Sequence, residues 1–196
     1  MHKLRVIIPF RGQYDLFKQS VLSIVEQTSP DWELFIIDNS DYKKDVLQFL
    51  TQLHNEKISL IQNQHILSIS ENFQTALDLA DNEWFIIFGA DDVMDKNFIA
   101  ECMKIIAEDP DVGFIHARVR IIDQDNRYLG ANLPDLIKEL INPVKKGSDH
   151  IVSPGQALRR LAIGNYFYFP AIVWRKSAVG HFKFRQDLQI ALDLDL

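Results

Sequence analysis

The chain has 196 residues, of which 47% are hydrophobic and 24% charged, and a formal net charge of −6. That length suffices for one sizeable core, while the acidic balance, with no Lys/Arg run longer than Lys145-Lys146, excludes nucleic acid as a main partner. No stretch approaches the roughly 20 apolar residues of a membrane-spanning helix, and the opening "MHKLRVIIPF" lacks the cleavage site of a signal peptide. The expected location is therefore the cytoplasm, with room for peripheral association at the inner face of a membrane. The single cysteine, Cys102, cannot close an internal disulfide, and its place on the apolar side of an expected helix reads as a buried thiol.

Strand-like and helix-like patterns alternate over the first 110 residues. Leu4 to Phe10 is a short apolar run ending at the turn "PFRGQYD", and Phe17, Val21, Ile24 and Val25 then fall on one helix face. "ELFIIDNSD" is a second strand that breaks into turn-forming Asp, Asn and Ser. Val46, Phe49, Leu50 and Leu53 mark the next helix, Ile58 to Ile61 a third strand, and Phe73, Ala76, Leu77 and Ala80 a third helix. Trp84 to Phe88 is the fourth strand. Ile99, Cys102, Met103 and Ile106 mark a helix that Asp95 could cap and Asp109-Pro110 stops.

The pattern then changes. "VGFIHARVRII" alternates like a strand, with "DQDNR" as a hairpin turn, and residues 130–152 resist assignment, with Pro134 and Pro143 as breaks. "SPGQALRRLAIG" predicts a small helix with Ser153 as N-cap, Pro154 in the first turn and Gln156 completing a capping box. "AIVWR" is a short strand, and "LQIALDLDL" reads as an amphipathic helix with no stop signal, as expected of a domain truncated at its C-terminus. Trp84 and Trp174 read as core. His116, Arg118 and Arg120 share one side of a strand, read as a solvated face in preference to a phosphate or metal site.

Strands and helices alternating at this spacing imply a Rossmann-like α/β fold: a mixed, mainly parallel sheet flanked by helices. In such sheets ligands sit outside the carboxyl ends of the strands. Arg11, Asp38 and the pair Asp91-Asp92 all fall just past strand ends. Adjacent carboxylates repel, and each resists leaving water, so a positive group belongs beside them. Hard oxygen ligands suit Mg²⁺ or Mn²⁺, which also take substrate phosphates. A plain solvated turn and helix N-cap is the competing reading of that pair, and Asp38 in "DNSD" has a turn-forming alternative too. The first loop, "PFRGQY", has a lone glycine, Gly12, where a dinucleotide enzyme would carry G-x-G-x-x-G, and no P-loop occurs.

The segments "RVIIPFRGQYDLFKQSVLSIVEQTSPDWELFIIDNSD", "ENFQTALDLADNEWFIIFGADDVM" and "LQIALDLDL" resemble, in order and spacing, the family 2 glycosyltransferases of GT-A fold. The resemblance covers residues 3–122 well and 166–196 moderately. It implies one catalytic domain over 1–196, with a nucleotide-sugar-binding half (1–122) and an incomplete acceptor-side half (123–196). The implied activity is inverting sugar transfer from a nucleotide diphosphate sugar, often UDP-linked, with Mn²⁺ or Mg²⁺. The implied acceptor is a saccharide or lipid-linked saccharide, as in polysaccharide or glycoconjugate synthesis. Carried over by residue, Pro9, Phe10 and Arg11 end the first strand beside the nucleotide base, Asp38 is the acid that contacts uracil, and Asn39 stands where a second Asp is common. Asn72 lies near the nucleotide. Asp91 matches the last acid of the metal-binding D-x-D, followed by Asp92, while Gly89 replaces the first. Asp193 matches the catalytic base, with Leu192 in place of the preceding Glu, and an exposed acid near a chain end is its alternative. An inactive nucleotide-sugar-binding or assembly subunit of the same fold is the competing function. A nucleotidyltransferase would need a richer glycine loop, and a phosphatase or receiver domain an acid after the first strand.

Overall fold

The computed structural model of the chain describes residues 3–144 and 151–185. Its contacts divide it into two units. One runs to His116 and resumes at Phe169; the other is Ala117–Tyr168.

The first unit holds a six-stranded sheet in the order β3-β2-β1-β4-β6-β5, with β1 at Leu4–Phe10, β2 at Trp32–Asp38, β3 at Ile58–Gln62, β4 at Trp84–Ile87, β5 at Phe114–His116 and β6 at Ile172–Arg175. Strands β1 to β4 are mutually parallel, while β6 runs antiparallel to both β4 and β5. Helices α1 (Tyr14–Val25), α2 (Lys43–Leu53), α3 (Ile69–Asp78) and α4 (Phe98–Glu108) connect them. This is the mixed, mainly parallel α/β architecture expected. β1 and β4 are near-continuous apolar runs because both faces are covered, and Val6, Ile7, Ile8, Phe85 and Ile86 have no exposed surface. At the sheet edge, β3 stays half-exposed. Phe10 stacks on Phe17 of α1 with ring centroids 4.1 Å apart, and so joins the core.

Trp84 and Trp174 are buried, as is Cys102, whose thiol burial pushes up to about 12. α3 begins at a capping box: Ser68 Oγ accepts from Glu71 N–H, and Glu71 Oε2 accepts from Ser68 N–H at 2.8 Å. At α4 the expected cap moves. Asn97 takes the cap position, while Asp95 Oδ1 accepts from Asn97 N–H two residues upstream. The strand expected over 112–122 ends at His116, because its partner β6 is only four residues long and edge pairing stops with it.

In the second unit, Ile122 and Tyr128 form an antiparallel bridge around the turn 123–127, where Asp123 Oδ1 accepts from Asp125 and Arg127 N–H. Asn126 adopts φ +62°, a conformation Asn tolerates. Arg118, expected on a solvated strand face, instead pairs with Glu139 at 2.6 Å. Glu139 belongs to α5 (Leu133–Ile141), in the segment that resisted assignment. Pro134 does not break that helix: it lies in the first turn, where a missing N–H costs nothing, and Asn132 with Asp135 forms a capping box. α6 (Pro154–Leu161) starts as expected, with Ser153 N–H donating to Gln156 Oε1. Among the described residues no helix is long and apolar enough to cross a membrane.

Candidate active site

Strand order reverses between β1 and β4, from which β2 and β3 run one way and β6 the other. A crevice opens at the carboxyl ends of strands flanking such a point, and here a cavity of about 380 Å³ occupies it, within the first unit. From the end of β1 and the following turn come Pro9, Arg11, Gly12 and Gln13; from the end of β4 come Ile87 to Asp91. Leu16, Phe73, Phe169 and Pro170 supply an apolar remainder. Small-ligand sites have this composition: mostly apolar lining with a few convergent polar groups.

The loop after β4 is held by α1. Ser20 and Ser23 are polar yet buried and share one face of α1, and Gln27, equally buried, lies just past the end of that helix. Ser20 Oγ donates to Gly89 O at 2.9 Å, and Ser23 Oγ accepts from Met94 N–H at 2.9 Å. Gln27 donates through Nε2 to Asp95 O at 2.6 Å and accepts at Oε1 from Ile99 N–H at 3.0 Å. Gln27 therefore fixes both Asp95 and the first turn of α4.

Asp91 is exposed to the cavity mouth, while Asp92 is half-buried. Burial, and then the Asp91 charge, push the Asp92 carboxyl up to about 6. Asp92 folds back over Gly89. A Cβ on Gly89 would overlap Asp92 Oδ2 and lie 3.0 Å from its Cγ and 3.2 Å from Asp91 Oδ1. Carboxylate oxygens of both acids, two hard donors, thus lie close together over the side of Gly89 that carries no side chain. That fits a divalent cation completed by phosphate oxygens. Among the described residues no cluster of three or more His, Cys, Asp or Glu converges on such an ion.

Of the residues singled out in the sequence, the cavity gathers Pro9, Arg11 and Asp91, with Asp92 directly behind Gly89. Phe10 and Asp38 are not on its surface. Asp38 has no exposed surface; its Oδ1 accepts from Ser40 N–H at 3.0 Å and Ser40 Oγ at 2.6 Å, and its Oδ2 from Gln62 Nε2 at 3.1 Å. Asn39 clasps Leu67 from both sides, Nδ2 donating to the carbonyl at 3.0 Å and Oδ1 accepting the N–H at 2.8 Å. An aspartate there could make only the second bond. Arg11 Nη1 reaches the same Leu67 carbonyl at 3.4 Å. Asn72 is buried beside the cavity-lining Phe73, and its Oδ1 has no partner among the described residues. Asp193 lies outside the described residues.

Sequence reasoning missed Ser20, Ser23 and Gln27. For the two serines a signal was present, as polar residues interrupting the apolar face of α1 at helical spacing, but the bonds all three make are tertiary. The aromatic run near 166–174 was read as mostly core, and Phe169 with Pro170 nonetheless lines the cavity.

The sequence pattern of Glycosyl transferase family 2 matches residues 5–167. Among solved structures, the chain is similar to S. aureus TarS 1–349 in complex with UDP-GlcNAc: 18% identity and TM-score 0.72, covering 97% of this chain and 51% of that one. It is also similar to the mannosyltransferase PcManGT from Pyrobaculum calidifontis in complex with GDP-Man and Mn²⁺, at 16% identity and TM-score 0.64, covering 95% and 48%. At such identities the likeness speaks for the GT-A fold alone. The chain spans about half the length of these structures. No match to a curated protein was found.

Proposed function

The chain belongs to glycosyl transferase family 2, and on that premise we infer that it moves a sugar from a nucleotide diphosphate sugar to an acceptor hydroxyl, inverting the anomeric carbon. The observation that carries this reading is the cavity itself, which sets one cation, Arg11, and one carboxylate loop, Gly89–Asp92, at the carboxyl ends of β1 and β4. Arg11 suits the donor's diphosphate as a charge-assisted hydrogen-bond partner. Asp91 and Asp92 would hold Mn²⁺ or Mg²⁺, which when bound offsets the charge that grows on the departing diphosphate. Pro9, Leu16, Phe73 and Phe169 exclude water from the donor and offer flat apolar surfaces to its rings. Asp38, wholly engaged by Ser40 and Gln62, braces the loop after β2 on the nucleoside side. Asn72 presents an unused acceptor oxygen beside Phe73. We assign Asp193 the proton of the acceptor hydroxyl, on the face of the sugar opposite the diphosphate, and residues 123–196 the acceptor side. The acceptor is read as a saccharide or lipid-linked saccharide at the cytoplasmic face.

The test is a calorimetric titration of UDP, with GDP as control, with and without Mn²⁺, in the parent chain and in Asp91→Ala. Metal-dependent binding of one nucleotide, weakened at least about tenfold by the substitution, is expected. A folded chain that binds neither nucleotide under any of these conditions would overturn the reading.

A further inference from the structure

We propose that α5 is a membrane-docking element, whose outward apolar face lies in the surface of a bilayer with anionic headgroups. The inference goes beyond the donor-site reading and does not depend on it. In α5, Leu133, Leu136, Ile137 and Leu140 recur at i, i+3, i+4 and i+7, the stripe by which a helix ordinarily packs on a core. Here that stripe is turned to solvent, with the four residues 70%, 56%, 49% and 81% exposed. The opposite, polar stripe holds it that way. Asp135 accepts from the Tyr168 hydroxyl, Lys138 Nζ donates to Phe167 O at 2.6 Å, and Arg118 Nη1 donates to the two oxygens of Glu139 at 2.7 and 2.6 Å. All these bonds lie within the second unit, Ala117–Tyr168, so that unit's own contacts fix which face of the helix turns inward. An exposed apolar face of this kind marks a surface that something covers.

Charge selects the occupant. Residues 117–168 carry eight Lys/Arg against five Asp/Glu, a balance of +3 in a chain whose total is −6, which leaves −9 for the rest. Screening confines electrostatic attraction to about 8–10 Å, so a surface that touches this unit meets the local positive charge. Part of that charge is Arg159 and Arg160, both exposed in the last turn of α6 beside the exposed Leu158. The end of α6 meets the end of α5. Gly164, whose N–H donates to Arg160 O at 3.2 Å, has Ile141 Cδ1 only 3.0 Å from where its own Cβ would lie. Arg160 therefore stands one helical turn from the end of α5. Apolar side chains on one face with arginines at their flank are the composition of a helix that lies in the headgroup region of a bilayer. A second copy of the chain fits less well. It would set +3 against +3, and four side chains on so short a helix fall below the roughly 800 Å² a side that a stable protein interface buries.

The experiment is co-sedimentation of the full chain with vesicles of phosphatidylcholine alone, or of phosphatidylcholine with about one-third phosphatidylglycerol as the anionic lipid. The parent is compared with Leu136→Gln/Leu140→Gln and with Arg159→Gln/Arg160→Gln, with thermal unfolding and light scattering run on each. The parent is expected to partition onto the anionic vesicles, less so as salt is raised. The leucine pair should weaken that partition at least about tenfold, and the arginine pair several-fold on anionic vesicles alone. Because the two leucines are already in water, their replacement should leave Tm within about 2 °C of the parent. A parent that ignores anionic vesicles, or binds neutral ones equally well, overturns the inference. So does a leucine variant that partitions like the parent. A leucine variant whose Tm falls by several degrees shows the face covered within the chain, and a parent dimer that the leucine variant abolishes shows a second copy there; either overturns it. All of these outcomes leave the donor-site reading standing.

Discussion

Two strands of this sheet lead to an aspartate at their carboxyl ends, Asp38 as the last residue of β2 and Asp92 in the loop after β4, and the two acids have opposite fates. Asp38, closing β2, is wholly buried and satisfied: Ser40 donates twice and Gln62 once, so its carboxylate has partners on both oxygens. Asp92, after β4, is half-buried beside a second carboxylate, and among the described residues no donor reaches either acid of that pair. Residue type and place in the topology are alike; the supply of donors differs. A carboxylate that the fold satisfies serves the fold. One that is desolvated and left without a donor lowers stability, and is positioned to bind something positive.

The largest effect should fall on the satisfied acid. Asp38→Ala leaves Ser40 N–H and Oγ without their acceptor in a buried place, and is expected to cost about 3 kcal/mol or more, roughly 10 °C in Tm. A loss under about 1 kcal/mol in a denaturant titration would mean the two loops do not differ as described. Next, and opposite in sign, is Asp92→Asn. The folded carboxyl holds its proton up to about pH 6, against 3.8 ordinarily, so the folded state binds more protons between those values and stability falls as pH rises through them. Without divalent metal, Asp92→Asn should be more stable than the parent by up to about 3 kcal/mol at pH 8, with the gap closing below pH 4. A Tm difference independent of pH would contradict this. Gln27→Ala strands the Ile99 N–H and frees Asp95 O, for an expected loss of about 1–2 kcal/mol, together with faster amide exchange over residues 91–99. The smallest effect on stability is expected from Arg11→Ala, within about 0.5 kcal/mol because the side chain is exposed, even though nucleotide affinity drops about tenfold.

The alternating half of the fold was legible because its signals are local. Apolar periodicity marks α1 to α4, and the continuous runs of β1 and β4 announce strands covered on both faces. β5 was read too long, since a strand lasts only as far as its partner, and β6 is distant in sequence. α5 was missed because its capping box is written with Asn132 and Asp135, and because Pro134 reads as a break until the helix start is placed one residue before it. At the site, Arg11 and Asp91 could be found as polar residues just past apolar runs. The grip of Ser20, Ser23 and Gln27 could not, because a serine on a helix face, or a glutamine just past its end, names no partner. Nor could the relation between Gly89 and Asp92, which depends on the path of one turn in three dimensions.

Ser20 and Ser23 make the acid loop depend on the phase of α1. Each residue advances the helix by about 100°, so a single insertion between Val21 and Leu22 would swing Ser20 away from the face that still carries Ser23. Gly89 would lose its anchor while Met94, Asp95 and Ile99 kept theirs. Deletions and insertions in α1 should therefore be tolerated poorly, for the loop they would displace as well as for the apolar face they would turn out of the core. Because the loop's place is measured from a helical face, the cavity inherits that helix's rotational accuracy.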